Sequence, residues 1–419
     1  MVSGKFLHWS IFGSALFFLS GSSSIAAFQE DLRTQFFQYA TETNATLNLN
    51  STTTIKTDHF ISKFIGYVET GKRGTWNIDA DPLRYDFHYD EEKNNFIWLG
   101  REHPLNLTRN DPVQVTDAIG NIWAQNQINA LNPRVVGWFS TGILQHLNPN
   151  LVVVGAFSPL FIPTFGPSLG FNDSGDLQPV RYARLPPASV NTGGVLLPIR
   201  YQLELGQIKD LLLRNQYFAG IVYKNENVYL EATYFSAPRP NAVPITQSAL
   251  QITPQVVYAK VQIDPQFPRE HWSTYRAQLL NVPLQPAVEF VYGIKSGQQQ
   301  NHDQYLSLSG NLSTGFRQKA SFGLLTSFQK NPEDPEFSDL LAFAYLPFHI
   351  TDSWSLNTLV RSTLLNTRQS IYSMLELQYD LNQNLSLLSS IRVLSGKNYS
   401  YFGDWRSEDS FTLGMRVLL

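Results

Sequence analysis

The sequence predicts an all-β fold, an antiparallel up-and-down transmembrane β-barrel of about 16–18 strands interrupted by an inserted irregular segment. Three observations predict it. From Arg200 onward, apolar and polar residues alternate through about twelve stretches, each near the length with which a tilted strand crosses an outer membrane. Leu83, Tyr85, Phe87 and Tyr89 form one face of a strand whose other face is Arg84, Asp86, His88 and Asp90. Aromatic groups opposed by four ionisable ones suit lipid on one side and a wet lumen on the other better than a solvent-facing sheet. The chain also ends on a strand, where Phe411, Leu413, Met415, Val417 and Leu419 alternate with Thr412, Gly414, Arg416 and Leu418. A secreted β-sandwich or solenoid is the alternative fold.

In chain order, a charged start ending at Lys5 precedes an apolar run, Phe6 to Leu19, and small residues at Ser24 and Ala26. This is the build of an export signal, residues 1–26, cleaved after Ala26. Residues 27–44 follow as an N-terminal segment. Phe28, Leu32, Phe36 and Tyr39 stand there at helical spacing, which reads as a short amphipathic helix or a frayed terminus. The barrel is assigned to residues 45–419.

Within it, residues 102–197 break the rhythm, with strands expected only at Arg134–Gln145 and Leu151–Phe157. The rest of that segment is rich in Pro, Gly and Asn. It is a candidate plug or constriction, with Asp173, Asp176, Arg181 and Arg184 as its charged groups. Further on, outward rows are expected at Tyr201–Leu205, Val228–Tyr234, Val257–Ile263, Val288–Ile294 and Leu385–Val393. Connections sort by length when counted back from a periplasmic C-terminus. Asn382–Asn384 and Thr351–Ser353 are short and periplasmic; Gly396–Asp409, Lys330–Phe337 and Ser296–His302 are extracellular. Ala237–Thr253 disobeys, being long on the periplasmic side, so either a strand is hidden or the count slips by one there.

Composition narrows the chemistry. The formal net charge of −3 gives no basis for a nucleic-acid partner. There is no cysteine, hence no disulfide framework and no thiol-held zinc. The histidines are scattered, and none of the spacings of hydrolase, metalloprotease or phosphate-binding motifs occurs. Two acidic loops, Asn172, Asp173, Asp176 and Glu333, Asp334, Glu336, Asp339, lack the calcium-loop pattern and read as solvated acids. No metal, cofactor or catalytic set is therefore assigned. By the alternation, Lys260, Arg276, Lys295, Arg317, Lys319, Arg361, Arg392 and Arg416 point inward, opposed by Glu289, Glu376 and Asp380. An excess of Arg and Lys in a pore favours anions. The alternative is that these charges pair with acids and set no preference.

The last residues carry a resemblance. Thr412, Gly414, Val417 and Leu419 are similar to the C-terminal assembly signal of Gram-negative outer-membrane β-barrels, with Leu419 departing from the usual terminal aromatic. The resemblance implies residence in the outer membrane, contact with its lipid and recognition by the barrel assembly machinery. A porin-like channel for small hydrophilic, and by its charge anionic, solutes is the first functional expectation. A plugged structural or surface-binding barrel is the second, and an outer-membrane enzyme the third.

Overall fold

Hydrocarbon offers backbone amides no water, so a sheet that crosses it must leave no open edge. The computed structural model meets this condition with a closed ring. It describes residues 27–39, 46–69, 76–108, 137–161, 170–171, 177–178, 189–203, 213–238, 243–252, 257–295, 301–312, 320–329, 340–363, 369–396 and 409–418.

The ring begins with β1 (Ala27–Tyr39), β2 (Thr46–Lys56), β3 (Phe60–Glu69), β4 (Trp76–Asp90) and β5 (Asn95–Glu102). After a short helix, α1 (Leu105–Thr108), come β6 (Trp138–Asn148) and β7 (Leu151–Ser158). Four strands then leave the wall: β8 (Gly170–Phe171), β9 (Leu177–Gln178), β10 (Ser189–Thr192) and β11 (Val195–Leu203). The wall resumes with β12 (Gln216–Lys224) and β13 (Val228–Pro238), and β14 (Val243–Ile252) and β15 (Val257–Gln266) leave it again. It continues through β16 (Arg269–Leu279), β17 (Ala287–Lys295), β18 (Asn301–Leu312), β19 (Ala320–Gln329) and β20 (Leu340–His349). The last are β21 (Trp354–Thr363), β22 (Ser370–Asp380), β23 (Leu385–Gly396) and β24 (Ser410–Leu418).

These make an 18-stranded sheet in which every wall strand pairs antiparallel with its neighbour along the ring, β7 with β12 and β13 with β16 across the insertions. The ring closes where β1, already paired to β2, pairs with β24 from Asp31↔Leu418 to Tyr39↔Ser410. An even strand number is what single-chain bacterial barrels have.

β1 corrects the helix expected for residues 27–44. A spacing of four residues is close to one helical turn, but it is also two full strand repeats. Phe28, Leu32 and Phe36 therefore fit a strand equally well, and the two ladders available to β1 decide the matter.

The segment between residues 102 and 197 is not all insert. β6 and β7 are wall strands, joined by the turn at Pro149 and Asn150. The irregular link also resolves. β14 and β15 form a hairpin that joins β11 in a separate four-stranded sheet, ordered β10-β11-β15-β14, with β11 and β15 parallel. Removing that hairpin from the wall makes 239–268 one link between β13 and β16 and moves it to the other rim. All links of about four residues or fewer then lie at the rim where β24 ends, called here the turn rim: 57–59, 91–94, 149–150, 225–227, 350–353 and 381–384. The long links 103–137, 159–215 and 239–268 share the opposite loop rim.

The turns close as their residues dictate, because Asn and Asp side chains replace missing ladder bonds. Asn225 Oδ1 accepts from the backbone N–H groups of Asn227 and Val228 at 2.9 and 2.8 Å, and Asn382 Oδ1 accepts from Asn384 N–H at 2.8 Å. Asn94 takes a φ of 53°, a conformation Asn tolerates better than most residues.

Facing is inverted relative to a soluble protein. Phe87, Leu99, Tyr275, Ile391 and Leu413 are among many exposed large apolar side chains, while Arg361, Glu289, Arg276 and Glu376 are buried. Such a wall has its apolar side toward lipid and its charged side toward the interior. Aromatic pairs sit on the outer face near both rims, Trp354 with Tyr379 at the turn rim (ring centroids 4.5 Å apart) and Phe157 with Tyr217 toward the loop rim (5.4 Å).

One close approach on the inner face sets a steric limit. Trp98 is fully buried and its indole lies over Gly142 of the neighbouring β6, where a Cβ would collide with the ring and come within 2.6 Å of the Gly155 carbonyl. Gly142→Ala should destabilise the folded barrel by about 1–3 kcal/mol, read as a lower urea midpoint in detergent. Trp98→Leu in the same chain should recover part of that loss.

Candidate functional site

The inner wall gathers the chain's buried charge, and it does so in sectors. On β4 and β5, Arg84 bridges two acids. Its Nε lies 2.7 Å from Asp86 Oδ1, its Nη2 donates to Asp86 Oδ2 at 2.9 Å and its Nη1 donates to Glu102 Oε2 at 3.2 Å. The alternation of β4 puts Arg84 and Asp86 on one face, and Leu83↔Arg101 pairing brings the end of β5 alongside. Burial makes this pairing obligatory, since an isolated ion here would be strongly penalised.

A second sector lies on β13, β16 and β17. Glu231, Arg276 and Glu289 are consecutive ladder partners on one face, so an Arg sits between two carboxylates on the wall. The Tyr229 hydroxyl donates to Glu231 Oε2 at 2.5 Å, and Arg276 Nη2 donates to Gln278 Oε1 at 3.3 Å. Glu270 is buried higher on the same face and accepts from Trp272 Nε1 at 3.1 Å.

The third sector, on β20 to β24, is richer in arginine. Arg361 stands over the Tyr372 ring, 5.9 Å from its centroid. Asn357 Nδ2 donates to Glu376 Oε1 at 3.4 Å, and Asn357 Oδ1 accepts from the Tyr345 hydroxyl. Arg392 pairs across to Ser410, and Arg416 to Ser386 and to Arg33 of β1. Asp380 accepts from Ser386 Oγ at 2.6 Å and from Gln378 Nε2 at 2.7 Å. By ring order β24 lies half a circuit from β13, so the Arg392–Arg416 sector and the glutamate sector stand on opposite sides of the lumen.

Between the first two sectors the inner wall carries an apolar cluster. Phe96, Trp98, Leu144, Val154, Ala156 and Phe218, from β5, β6, β7 and β12, form one buried cluster. Leu105 and Leu107, both in the single turn of α1, pack onto it. His103 sets its ring edge-on to Trp138 and Phe218, with centroids 5.0 and 6.2 Å away. The Thr108 carbonyl lies 3.3 Å from the Tyr229 hydroxyl. The chain leaving β5 therefore enters the lumen and stays against its wall through Thr108.

Of the residues expected to line a pore, Arg276, Glu289, Arg361, Glu376, Arg392 and Arg416 lie on the inner face. Lys260 does not belong to the wall. It sits on β15 of the small sheet, opposite Arg200 and Ala249, because that strand pairs away from the ring. Arg317, Lys319, Asp173, Asp176, Arg181, Arg184 and Leu419 lie outside the described residues, as does the Lys295 side chain. In the terminal motif Thr412 is buried on the inner face, Gly414 opposes Leu388, and Val417 pairs with Leu385 and Leu32.

Sequence reasoning did not single out Glu102, Glu270 or the Trp98 cluster. The parity of β4 exposes Arg84 and Asp86, but Phe96-Ile97-Trp98-Leu99 is apolar on both faces, so its inward side cannot be read from pattern. Among the described residues no group of three or more His, Cys, Asp or Glu is placed to hold a metal ion.

No family model matches the chain, and no curated protein matches it. Among solved structures it is similar to OccAB3 of Acinetobacter baumannii, at 9% identity and a TM-score of 0.47 over 94% of this chain and 98% of that one. OccK2 (OpdF) of Pseudomonas aeruginosa, solved in complex with glucuronate, gives 9% identity and a TM-score of 0.48 over 94% and 95%. A BenF-like porin from Pseudomonas fluorescens Pf-5 gives 9% and 0.47 over 94% and 98%. The barrel assignment rests on the ring of pairings and the facing of its side chains, not on these likenesses.

Arg84 gives the site's sharpest stability test. Arg84→Met leaves two buried carboxylates without their cation and should cost about 3–5 kcal/mol, measured by urea unfolding in detergent. Adding Asp86→Asn and Glu102→Gln should restore much of it.

Proposed function

We propose that this protein is a porin-like channel of the Gram-negative outer membrane that passes small hydrophilic solutes by diffusion and catalyses no reaction. The observation that carries this is the inverted facing of an 18-stranded ring, apolar outside and charged inside. A barrel of that size has room for an aqueous passage. In this reading residues 1–26 direct export, the turn rim faces the periplasm and the long links face outward. Thr412, Gly414, Val417 and Leu419 present the last strand to the assembly machinery.

The lumen would act on charge by position. Arg392 and Arg416, with Arg361 on the same flank, offer a basic wall to anions, and Glu231, Glu270 and Glu289 stand across the lumen from Arg392 and Arg416. A solute between the two walls meets a transverse field, which orients it as well as selecting its sign. The preference for anions then depends on the basic wall prevailing. Arg317 and Lys319 would add to it, and Asp173, Asp176, Arg181 and Arg184 of the 102–197 segment are the proposed charges of the constriction.

A second reading has its own observation. His103 to Thr108 lies inside the barrel on an apolar patch, as a plug or constriction would. One set of recordings separates the two. Single channels of the refolded protein should conduct, and Arg361→Gln with Arg392→Gln should lower the anion-to-cation permeability ratio. Leu105→Asp with Leu107→Asp should release α1 from its patch and raise conductance. No conductance in either protein would favour the plugged barrel. Conductance unchanged by the α1 variant would remove that segment from the constriction.

A further inference from the structure

The outer face of the wall carries almost no charge, and what it carries is placed. Among the wall residues whose side chains are described, Arg101, Arg269 and His271 are the cationic or potentially cationic ones on the outward parity, and none on that face is an acid. All three stand within the last turns of strand toward the loop rim. We infer that Arg269, His271 and Tyr234 form a site for the phosphorylated headgroup of a lipid in the adjoining leaflet.

The geometry supports a prepared site rather than a loose surface charge. Arg269 Nη1 donates to Ser236 Oγ at 2.9 Å, and its Nη2 donates to the Asn215 carbonyl at 2.6 Å. Both partners are neutral, so the guanidinium is held in place with its charge uncancelled by them, and Nε and the remaining N–H groups can serve a phosphate. One strand repeat along, His271 Nδ1 lies 2.9 Å from the Tyr234 hydroxyl, with the rings stacked at 6.3 Å. When that hydroxyl donates to Nδ1, the Nε2–H is left for an outside acceptor. Ser236↔His271 pairing sets the two groups side by side on the same face.

Lipid is the source because of what flanks the cluster. Ile221, Leu230 and Tyr275 are exposed on the same outer face nearer the turn rim, where acyl chains would run. Anionic headgroups lie at the level where such aromatic and basic side chains end. The site is on the outside of the ring and is independent of whether the lumen conducts.

The test uses the full chain in detergent and native mass spectrometry with bis-phosphorylated lipid A as the probe. Wild type should retain one lipid at a concentration where Arg269→Gln/His271→Gln retains about tenfold less, the loss expected for charge-assisted bonds. Arg269→Lys should keep more than the double variant, and Arg101→Gln should bind as wild type does. Lipid stripped of its phosphates should lose as much as the double variant. Heat-dependent migration in SDS verifies that each variant is folded. Equal retention by the folded double variant overturns the proposal, as does an equal loss in Arg101→Gln. Displacement of the lipid by inorganic phosphate would mark a free-anion site and overturn it too. Conductance should be unchanged in the double variant.

Discussion

The ladder between β1 and β24 is the contact on which the rest of this molecule depends. It joins the first and last wall strands over nine residue pairs, Asp31↔Leu418 to Tyr39↔Ser410. Without it two full edges of N–H and C=O groups would stand open in hydrocarbon, where each unsatisfied group costs several kcal/mol. Closure also fixes the register of every other pair, because a slip of one residue anywhere would turn a strand's charged side into the lipid. The ordered alternation of the wall is therefore a consequence of the ring as much as of any single strand.

With the outside committed to lipid, the inside must deal with the charges the alternation sends there. Arg84 does so by pairing with two acids, and Arg276 by standing between Glu231 and Glu289. Around β22 the work falls to neutral donors, the Tyr345 hydroxyl bonding Asn357 and the Asn357 amide bonding the Glu376 carboxylate. The Phe96–Phe218 cluster is the exception, an apolar patch on a polar face, and it is where the chain after β5 is held. Burial of the patch and entry of α1 are one event. Each removes apolar surface that water would otherwise meet.

Much of this was legible from the residues, and the failures have physical causes. The faces of β4, β13, β17, β23 and β24 follow from period-two alternation, which the ladder enforces. β1 did not, since Phe28, Leu32 and Phe36 satisfy both a helical and a strand period. β11 and β15 alternate like wall strands yet pair with each other in parallel, across the chain between them. Periodicity reports that a strand has two unlike faces and not which strand lies beside it. Alternation alone therefore points Lys260 into the lumen and sets the link from Ala237 onward at the turn rim, and the ladders of β15 overturn both. The link's excess length is the one signal that the count slips.

The most direct test of the account follows the alternation itself along one wall strand. The chain contains no cysteine, so single cysteines can be placed at each position of Leu385–Gly396 and carry nitroxide labels in the lipid-reconstituted protein. Accessibility to oxygen, which concentrates in hydrocarbon, should rise and fall with a period of two, highest at Leu387, Ile391 and Val393. Accessibility to a water-soluble nickel complex should stay low at those positions. If Leu387, Ile391 and Val393 instead meet the nickel complex more readily than oxygen, the apolar face lies in water and the protein is not a membrane barrel.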